Sequence, residues 1–487
     1  MILLQPLNAS VRLANMKHLS LLLLLTAFLR VETTIASATD TTLDEKHYTK
    51  KQLNDDVNYL VHTISNVHPD MYHSIGPKRY KQLTDSVLAV LQDGMTGKQA
   101  WPVISRLVGA LNEGHSSFKF PGDLIVNLKA GGNTLFPVNI REFDGKYFVV
   151  RADGSAEDVL LPGDKITSIN HIKASKLVDV LSAGMGGLKL WRANDVCQNM
   201  IPYLDLNNIH GPYRISYIRG NKVDSVSLNA VSFTDYVSHL KAKAGKLPKL
   251  PVPADHDFKY FDNGKAYLSI NSLREDPAKF KHFLDSVFTA LRQSQSNTLI
   301  IDLRQNGGGN SALGETLLSY ITNKPFRMTG GVKWKVSQEY KDQLNERLKG
   351  EGAKQMDYYF SKANGTIFMS EGDTPKKPLE NTLFYKGRVI VLIGPKTFSS
   401  ANMLANTIQD YKLATLVGEP SGEPANDYGE LITVKLPNTG FTFTTSTKQF
   451  VRANGDAKDQ HPVLPAYTVH DDPLTAVDEV LEYAKKM

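Results

Sequence analysis

Two unbroken apolar runs do most to restrict how this chain can fold. Thr298-Leu299-Ile300-Ile301-Asp302-Leu303 and Arg388-Val389-Ile390-Val391-Leu392-Ile393 each lead through a short turn into a helix-patterned stretch. Runs of this length bounded by turn residues read as strands covered on both faces. Ala266-Tyr267-Leu268-Ser269-Ile270 and Ala414-Thr415-Leu416-Val417-Gly418 read as further strands. Helices are expected at 277–294, where Phe280, Phe283, Leu284 and Val287 share a face, at 312–322, and around Ala401, Leu404, Ala405 and Ile408. Strands alternating with helices mean an α/β core, here spanning 257–487. A polar and aromatic stretch, 328–384, interrupts it, and a long insertion between core elements is expected to be a lid or binding loop.

A chain of 487 residues has room for about three domains. Over 39–121, apolar residues recur at helical spacing (Leu53, Val57, Leu60, Val61, Ile64; then Val103, Ile104, Leu107, Val108, Leu111), which predicts a helical cap. Over 122–240 short strands take over, among them Leu124-Ile125-Val126, Phe136–Ile140 and Tyr147–Val150. There Leu161-Pro162-Gly163-Asp164 feeds Lys165-Ile166-Thr167-Ser168-Ile169-Asn170, which resembles a PDZ domain, a module that takes an extended peptide end as an added strand. A β-rich spacer with no ligand is the other reading. Residues 241–256 interleave lysines with Pro248, Pro251 and Pro253 and read as a linker.

The first 38 residues are set apart. Arg12, Lys17 and His18 precede an apolar run of 11 residues, Leu19–Leu29, and Ala36-Ser37-Ala38 follows. The run is shorter than the roughly 20 residues that span a bilayer, and the order fits a secretory signal peptide, with Met1 or Met16 as its start. Export to the periplasm or the extracellular space is expected, without stable membrane insertion afterwards. Lys and Arg exceed Asp and Glu by only 6, spread along the chain, so no nucleic-acid partner is implied. The single cysteine, Cys197, excludes an internal disulfide framework. No His, Asp and Glu set has metal-ligand spacing, so neither metal nor cofactor is expected.

Three segments hold residues suited to chemistry. Asp302-Leu303-Arg304-Gln305-Asn306-Gly307-Gly308-Gly309 follows a buried strand, and its glycines leave N–H groups unshielded. Phosphate cradling is one option, though the Gly-Lys-Ser/Thr of a phosphate loop is missing, and an oxyanion hole is the other. In Pro395-Lys396-Thr397-Phe398-Ser399-Ser400-Ala401, a serine stands at the start of a helix, where serines commonly serve only as caps. Glu113-Gly114-His115-Ser116-Ser117 ends the helical region.

In this order the segments resemble the C-terminal processing (tail-specific) serine peptidases, in particular the branch with the tricorn protease core. Gln409-Asp410-Tyr411, Val417-Gly418-Glu419-Pro420 and Leu436-Pro437-Asn438 extend the likeness, which covers roughly 44–470. The resemblance implies a β/α core of the crotonase/Clp-like superhelix type, a peptide or protein substrate and a serine nucleophile. The family's nucleophile lies 11 residues before the Asp of the Gln-Asp-Tyr stretch, which selects Ser399. Ser400 would supply one oxyanion N–H and Gly307 or Gly308 the other.

Better-known members take the serine proton with a lysine shortly after the Gly-Glu-Pro stretch. Here that place falls at or near Pro424, in Pro420-Ser421-Gly422-Glu423-Pro424, and no lysine is present. The tricorn-like branch uses a histidine instead, and His115 matches it. An acidic residue would orient the ring, and Asp459 is the expected one, ahead of Asp456. The serine that precedes the histidine in that branch is Gly114 here, which leaves Ser116 as a substitute. A non-catalytic reading stays open, because the same module resembles the ligand-binding repeats of interphotoreceptor retinoid-binding protein. A PDZ-led scaffold on an inert core is a further reading.

Overall fold

The computed structural model describes residues 46–487 apart from 122–123, 125–127, 130–131, 245–253, 262, 373, 379, 473–474 and 476. The signal-peptide segment and most of the expected linker therefore lie outside the described residues.

The N-terminal region is helical: α1 (Lys50–Val67), α2 (Pro77–Val90) and α3 (Gly97–Ile104). Thr49 and Thr96 begin α1 and α3 with reciprocal caps, each taking the N–H of a glutamine three residues on while that glutamine's side chain returns to the threonine N–H. Leu53, Val57, Leu60 and Ile64 line the buried face of α1 as their spacing predicts. Leu124 is helical rather than part of a strand, and it packs with Leu128 in this same core, four residues apart on one face. Ile125 and Val126 lie outside the described residues.

The next region is an antiparallel sheet of β1 (Val138–Phe143), β2 (Lys146–Ala152), β3 (Lys165–Ile169), β4 (Tyr213–Arg219) and β5 (Lys222–Leu228), in that spatial order. Helices α4 (Ala174–Leu181) and α5 (Lys189–Gln198) cover it. Ala193, Val196 and Cys197 of α5 share a core with Val138 and Ile140 of the edge strand β1. Burial there pushes the Cys197 thiol up to about 12, so it is an inert packing residue. A helix over Phe233–Ala244 follows, seated on the helical region through Tyr236 and Leu240. It carries regular structure into residues 241–244, where a linker was expected.

The C-terminal region holds a six-stranded sheet in the order β6 (His256–Tyr260), β7 (Ala266–Ile270), β8 (Thr298–Asp302), β11 (Arg388–Ile393), β12 (Thr415–Gly418) and β15 (Tyr467–Thr468). All pairings are parallel except β6 with β7. Helices α6 (Pro277–Ser294), α7 (Ser311–Ile321), α8 (Ser400–Tyr411) and α9 (Glu479–Lys486) pack on its faces. Every residue of β7 and β8 is buried, as unbroken apolar runs require.

The insertion is not a loose lid. Its strands β9 (Gly331–Lys335) and β10 (Ile367–Glu371) extend the long hairpin of β13 (Asp427–Lys435) and β14 (Thr442–Val451) into a four-stranded antiparallel sheet. Trp334, Tyr340 and Tyr359 form its core together with Val67 of α1. Of the aromatic trio at 358–360, Tyr359 is fully buried and is a packing residue.

Candidate active site

Strands β8 and β11 are neighbours and run parallel, so the glycine loop and the serine turn leave the same edge of the sheet. Ligand crevices of open α/β sheets form at such C-terminal strand ends. Hydrogen bonds hold the two turns to each other. Thr397 Oγ1 donates to Leu303 O at 2.9 Å, Phe398 N to Asn306 O at 3.0 Å, and Asn306 Nδ2 to Ile270 O at 2.9 Å.

Ser399 begins α8, yet its hydroxyl caps nothing. It sits at φ 53°, a left-handed backbone that a side chain rarely adopts and that aims Oγ away from the helix. Oγ lies 3.1 Å from His115 Nε2 across 284 residues of sequence. The Ser400 hydroxyl instead donates to Gly309 O at 2.7 Å. Ser399 and His115 line a cavity of about 320 Å3 with Gly309, Met403, Tyr428 and Phe450.

His115 is held from several sides. Its N–H donates to Glu113 Oε2 at 2.7 Å and its carbonyl accepts Thr444 Oγ1 at 2.7 Å. Its ring packs on Phe398, centroids 5.0 Å apart, and Phe398 stacks on Trp191 at 5.5 Å. A side-chain carbon on Gly114 would stand 2.5 Å from the Phe398 ring, so this position has no room for the serine of the tricorn-like pattern. The Ser116 hydroxyl is buried and makes no hydrogen bond among the described residues. Burial holds His115 below the ordinary histidine value of 6.5, so the ring is neutral and able to accept a proton near neutral pH.

The carboxylate beside the ring corrects the sequence expectation. Glu423 Oε2 lies 3.4 Å from His115 Nδ1, and Glu423 Oε1 accepts the Ser399 N–H. The Asp459 carboxylate is engaged elsewhere, by Arg452 Nη1, by His461 Nδ1 at 2.8 Å and by the His461 N–H at 2.9 Å. Arg452 also binds Asp410, whose carboxylate accepts Asn454 N at 2.9 Å. Asp410 and Asp459 thus belong to one ion network that ties α8 to the segment after β14. Asp456 accepts Lys458 N at 3.0 Å.

Three buried carboxyl groups surround the ring. Burial raises Glu423 well above its usual range, and the Asp427 charge raises it further. Asp427 is raised by burial too, to about 8, with the hydrogen bond from Glu423 working against the rise. Two such groups side by side retain at least one proton between them at neutral pH. Glu113 behaves oppositely: burial opposes its charge, but His68 and His115 outweigh it and hold the group at about 2.

The oxyanion donors also differ in part from expectation. Gly308 N donates to Asn306 Oδ1 at 2.9 Å, so it is spent on the loop. Gly308 is required for another reason: at φ 92°, a side-chain carbon there would meet Ser399 Cβ at 2.6 Å. Gly307 lines a second cavity, to which Phe398 also contributes. Gly309 and Ser400 line the Ser399 cleft, and their N–H groups make no hydrogen bond among the described residues.

Among the described residues no group of three or more His, Cys, Asp and Glu is arranged to hold a metal ion. No helix among them is long and apolar enough to cross a membrane.

No curated protein matches the sequence. Among solved structures, mature CPAF is 16% identical over 90% of this chain and 96% of its own, with a TM-score of 0.62. Mature CPAF complexed with lactacystin gives the same identity and 0.63 over 90% of this chain and 97% of its own. At this identity the likeness is one of fold. The tricorn protease matches at 12% identity and a TM-score of 0.35, covering 90% of this chain and 36% of its own, which does not single out its branch. The sequence itself matches the model for peptidase family S41 over residues 264–469, from β7 to β15 and including Ser399 and Glu423. This chain therefore carries a peptidase family S41 domain over residues 264–469.

Proposed function

We propose that the Ser399 cleft hydrolyses peptide bonds, with His115 as general base and Glu423 as its partner. The observation that carries this is the 3.1 Å approach of Ser399 Oγ to His115 Nε2, made by a strained serine backbone. Ser399 Oγ attacks the scissile carbonyl carbon while its proton passes to Nε2. The resulting oxyanion takes the N–H groups of Ser400 and Gly309. His115, now positive, faces the Glu423–Asp427 pair at Nδ1 and the charged Glu113 behind its backbone. It then returns the proton to the leaving amine, and water repeats the cycle on the acyl-enzyme.

The mature enzyme works outside the cytoplasm in this reading, on the strength of the Leu19–Leu29 run and Ala36-Ser37-Ala38. The β1–β5 region is its PDZ-like module, on the strength of Leu161-Pro162-Gly163-Asp164 at the entry to β3. The test of the chemistry is covalent labelling by a serine-directed phosphonate, mapped by mass spectrometry. A single adduct on Ser399, lost in Ser399→Ala, is expected. A folded protein that neither takes the label nor cleaves any peptide would instead be a binding protein on a peptidase fold.

A further inference from the structure

A cavity of about 640 Å3 lies between the antiparallel region and the core, and it is lined by Phe398, whose ring also packs on His115. Gly307, Phe398 and Trp191 form the wall nearest the Ser399 cleft. Many charged residues line this cavity, and their pairing is one-sided.

Each acidic residue already accepts a hydrogen bond, Glu142 and Asp195 from neutral donors. Glu142 accepts Gly145 N at 2.7 Å, Asp144 accepts Lys146 Nζ at 3.0 Å, and Asp195 accepts the Tyr203 hydroxyl at 2.9 Å. Glu419 binds His470 Nδ1 at 2.7 Å and Asp471 binds Arg304 at 3.0 Å. Arg304 is further tied to Asp302 and Asp478. Two cations remain, Arg141 on β1 and Lys396 in the serine turn. Neither side chain has a hydrogen-bond or ion-pair partner among the described residues.

Burial and the Arg141 charge both press Lys396 below its ordinary value, and Asp195 offsets this only in part. Two like charges turned into a partly desolvated cavity are unfavourable until an anion joins them. Charge-assisted contacts to a carboxylate are the strong kind, and Arg presents a two-pronged fork for one.

We infer that Arg141 and Lys396 form a substrate subsite that receives a carboxylate carried by the peptide, beside the cleaved bond. The subsite joins the two regions of the chain, since Arg141 comes from the antiparallel sheet and Lys396 lies three residues before the nucleophile. It rests on the peptidase reading of Ser399, and it predicts a selectivity which that reading does not contain.

The test uses the full-length protein and a set of amidated peptides. In each, one glutamate is walked through the positions flanking the cleaved bond, and each is paired with its glutamine twin. Wild type is expected to prefer glutamate at one position by about tenfold or more in kcat/KM, the usual size for a hydrogen bond to a charged group. In Arg141→Gln/Lys396→Met the preference falls to about twofold or less, while kcat on the glutamine twin holds. The same peptides with a free C-terminal carboxyl separate a terminal carboxylate from a side-chain one, and a preference for either supports the subsite. Equal turnover of all twins and of acid and amide forms overturns it. So does a preference that survives the double substitution. Should no peptide be cleaved, the peptidase reading fails by itself. Fluorescence anisotropy of labelled glutamate and glutamine peptides on Ser399→Ala then decides the subsite separately, with equal affinities overturning it.

Discussion

Glu423 and His115 meet at 3.4 Å, carboxyl oxygen to Nδ1, while the other oxygen of the same carboxyl accepts the N–H of Ser399. One side chain thus touches both Ser399 and His115.

Glu423→Gln keeps the size of the group and removes its acid–base character. We expect kcat to fall by about a hundredfold or more, the range for loss of acid–base assistance, with KM little changed. Asp459→Asn is expected to leave kcat near wild type and to cost about 1–3 kcal/mol of stability through its contacts to Arg452 and His461. Steady-state kinetics and thermal melts on the two variants check the assignment. The reverse pattern would restore Asp459 to the site.

Ser399→Ala should abolish hydrolysis, whereas Ser400→Ala should keep a substantial part of it. The Ser400 hydroxyl only ties to Gly309 O, and its N–H survives the substitution. Peptide assays on both purified variants separate them.

The acid limb of kcat/KM should report His115. Protonated imidazole cannot take the serine proton, so activity falls as pH drops through the ring's pKa. Burial lowers that value, which places the limb below 6.5. A pH–rate profile with the limb well above neutrality would exclude this histidine as base.

Asp427 ties stability to pH. Its pKa rises from 3.8 in the unfolded chain to about 8 in the fold. A raised value contributes stability that is complete below 3.8 and is lost as pH climbs through about 8. Asp427→Asn mimics the protonated form, so the variant should lose less stability than wild type between pH 6 and 9. Melting temperatures across that window measure the difference. Parallel curves would mean that Asp427 does not titrate there.

Gly114→Ser restores the serine of the tricorn-like pattern, but the side chain would run into the Phe398 ring. We expect about 1–3 kcal/mol of destabilisation, the range for overpacking, and a fall in kcat as His115 is displaced. A variant with wild-type stability and kcat would show that Phe398 yields freely.

The α/β core was legible because β7 and β8 are buried throughout and β11 is buried from Val389 onward, which their nearly unbroken apolar runs announce. The family resemblance singled out Ser399 through its offset to Asp410 and His115 through the missing lysine, and the two side chains do meet at 3.1 Å. Glu423 was missed although it directly precedes Pro424, the place where the lysine had been sought. A lysine acts on the serine itself, whereas a carboxylate in that segment has use only once a histidine from the helical region lies beside it. Asp459 looked equally suitable in one dimension, and only Arg452 in space shows where its charge is spent.

By itself the sequence determined the local elements, the glycine turn and the serine turn, because strand, helix and turn preferences act over a few residues. Tertiary structure alone decided which groups meet: His115 with Ser399, Glu423 with His115, and Asn306 with the Gly308 N–H, which leaves the Gly309 N–H unspent. The physical reason is range. Catalytic contacts and carboxyl pKa values depend on distances of a few ångströms and on burial. Both are set by how the helical region docks on the sheet edge, across 284 residues of chain.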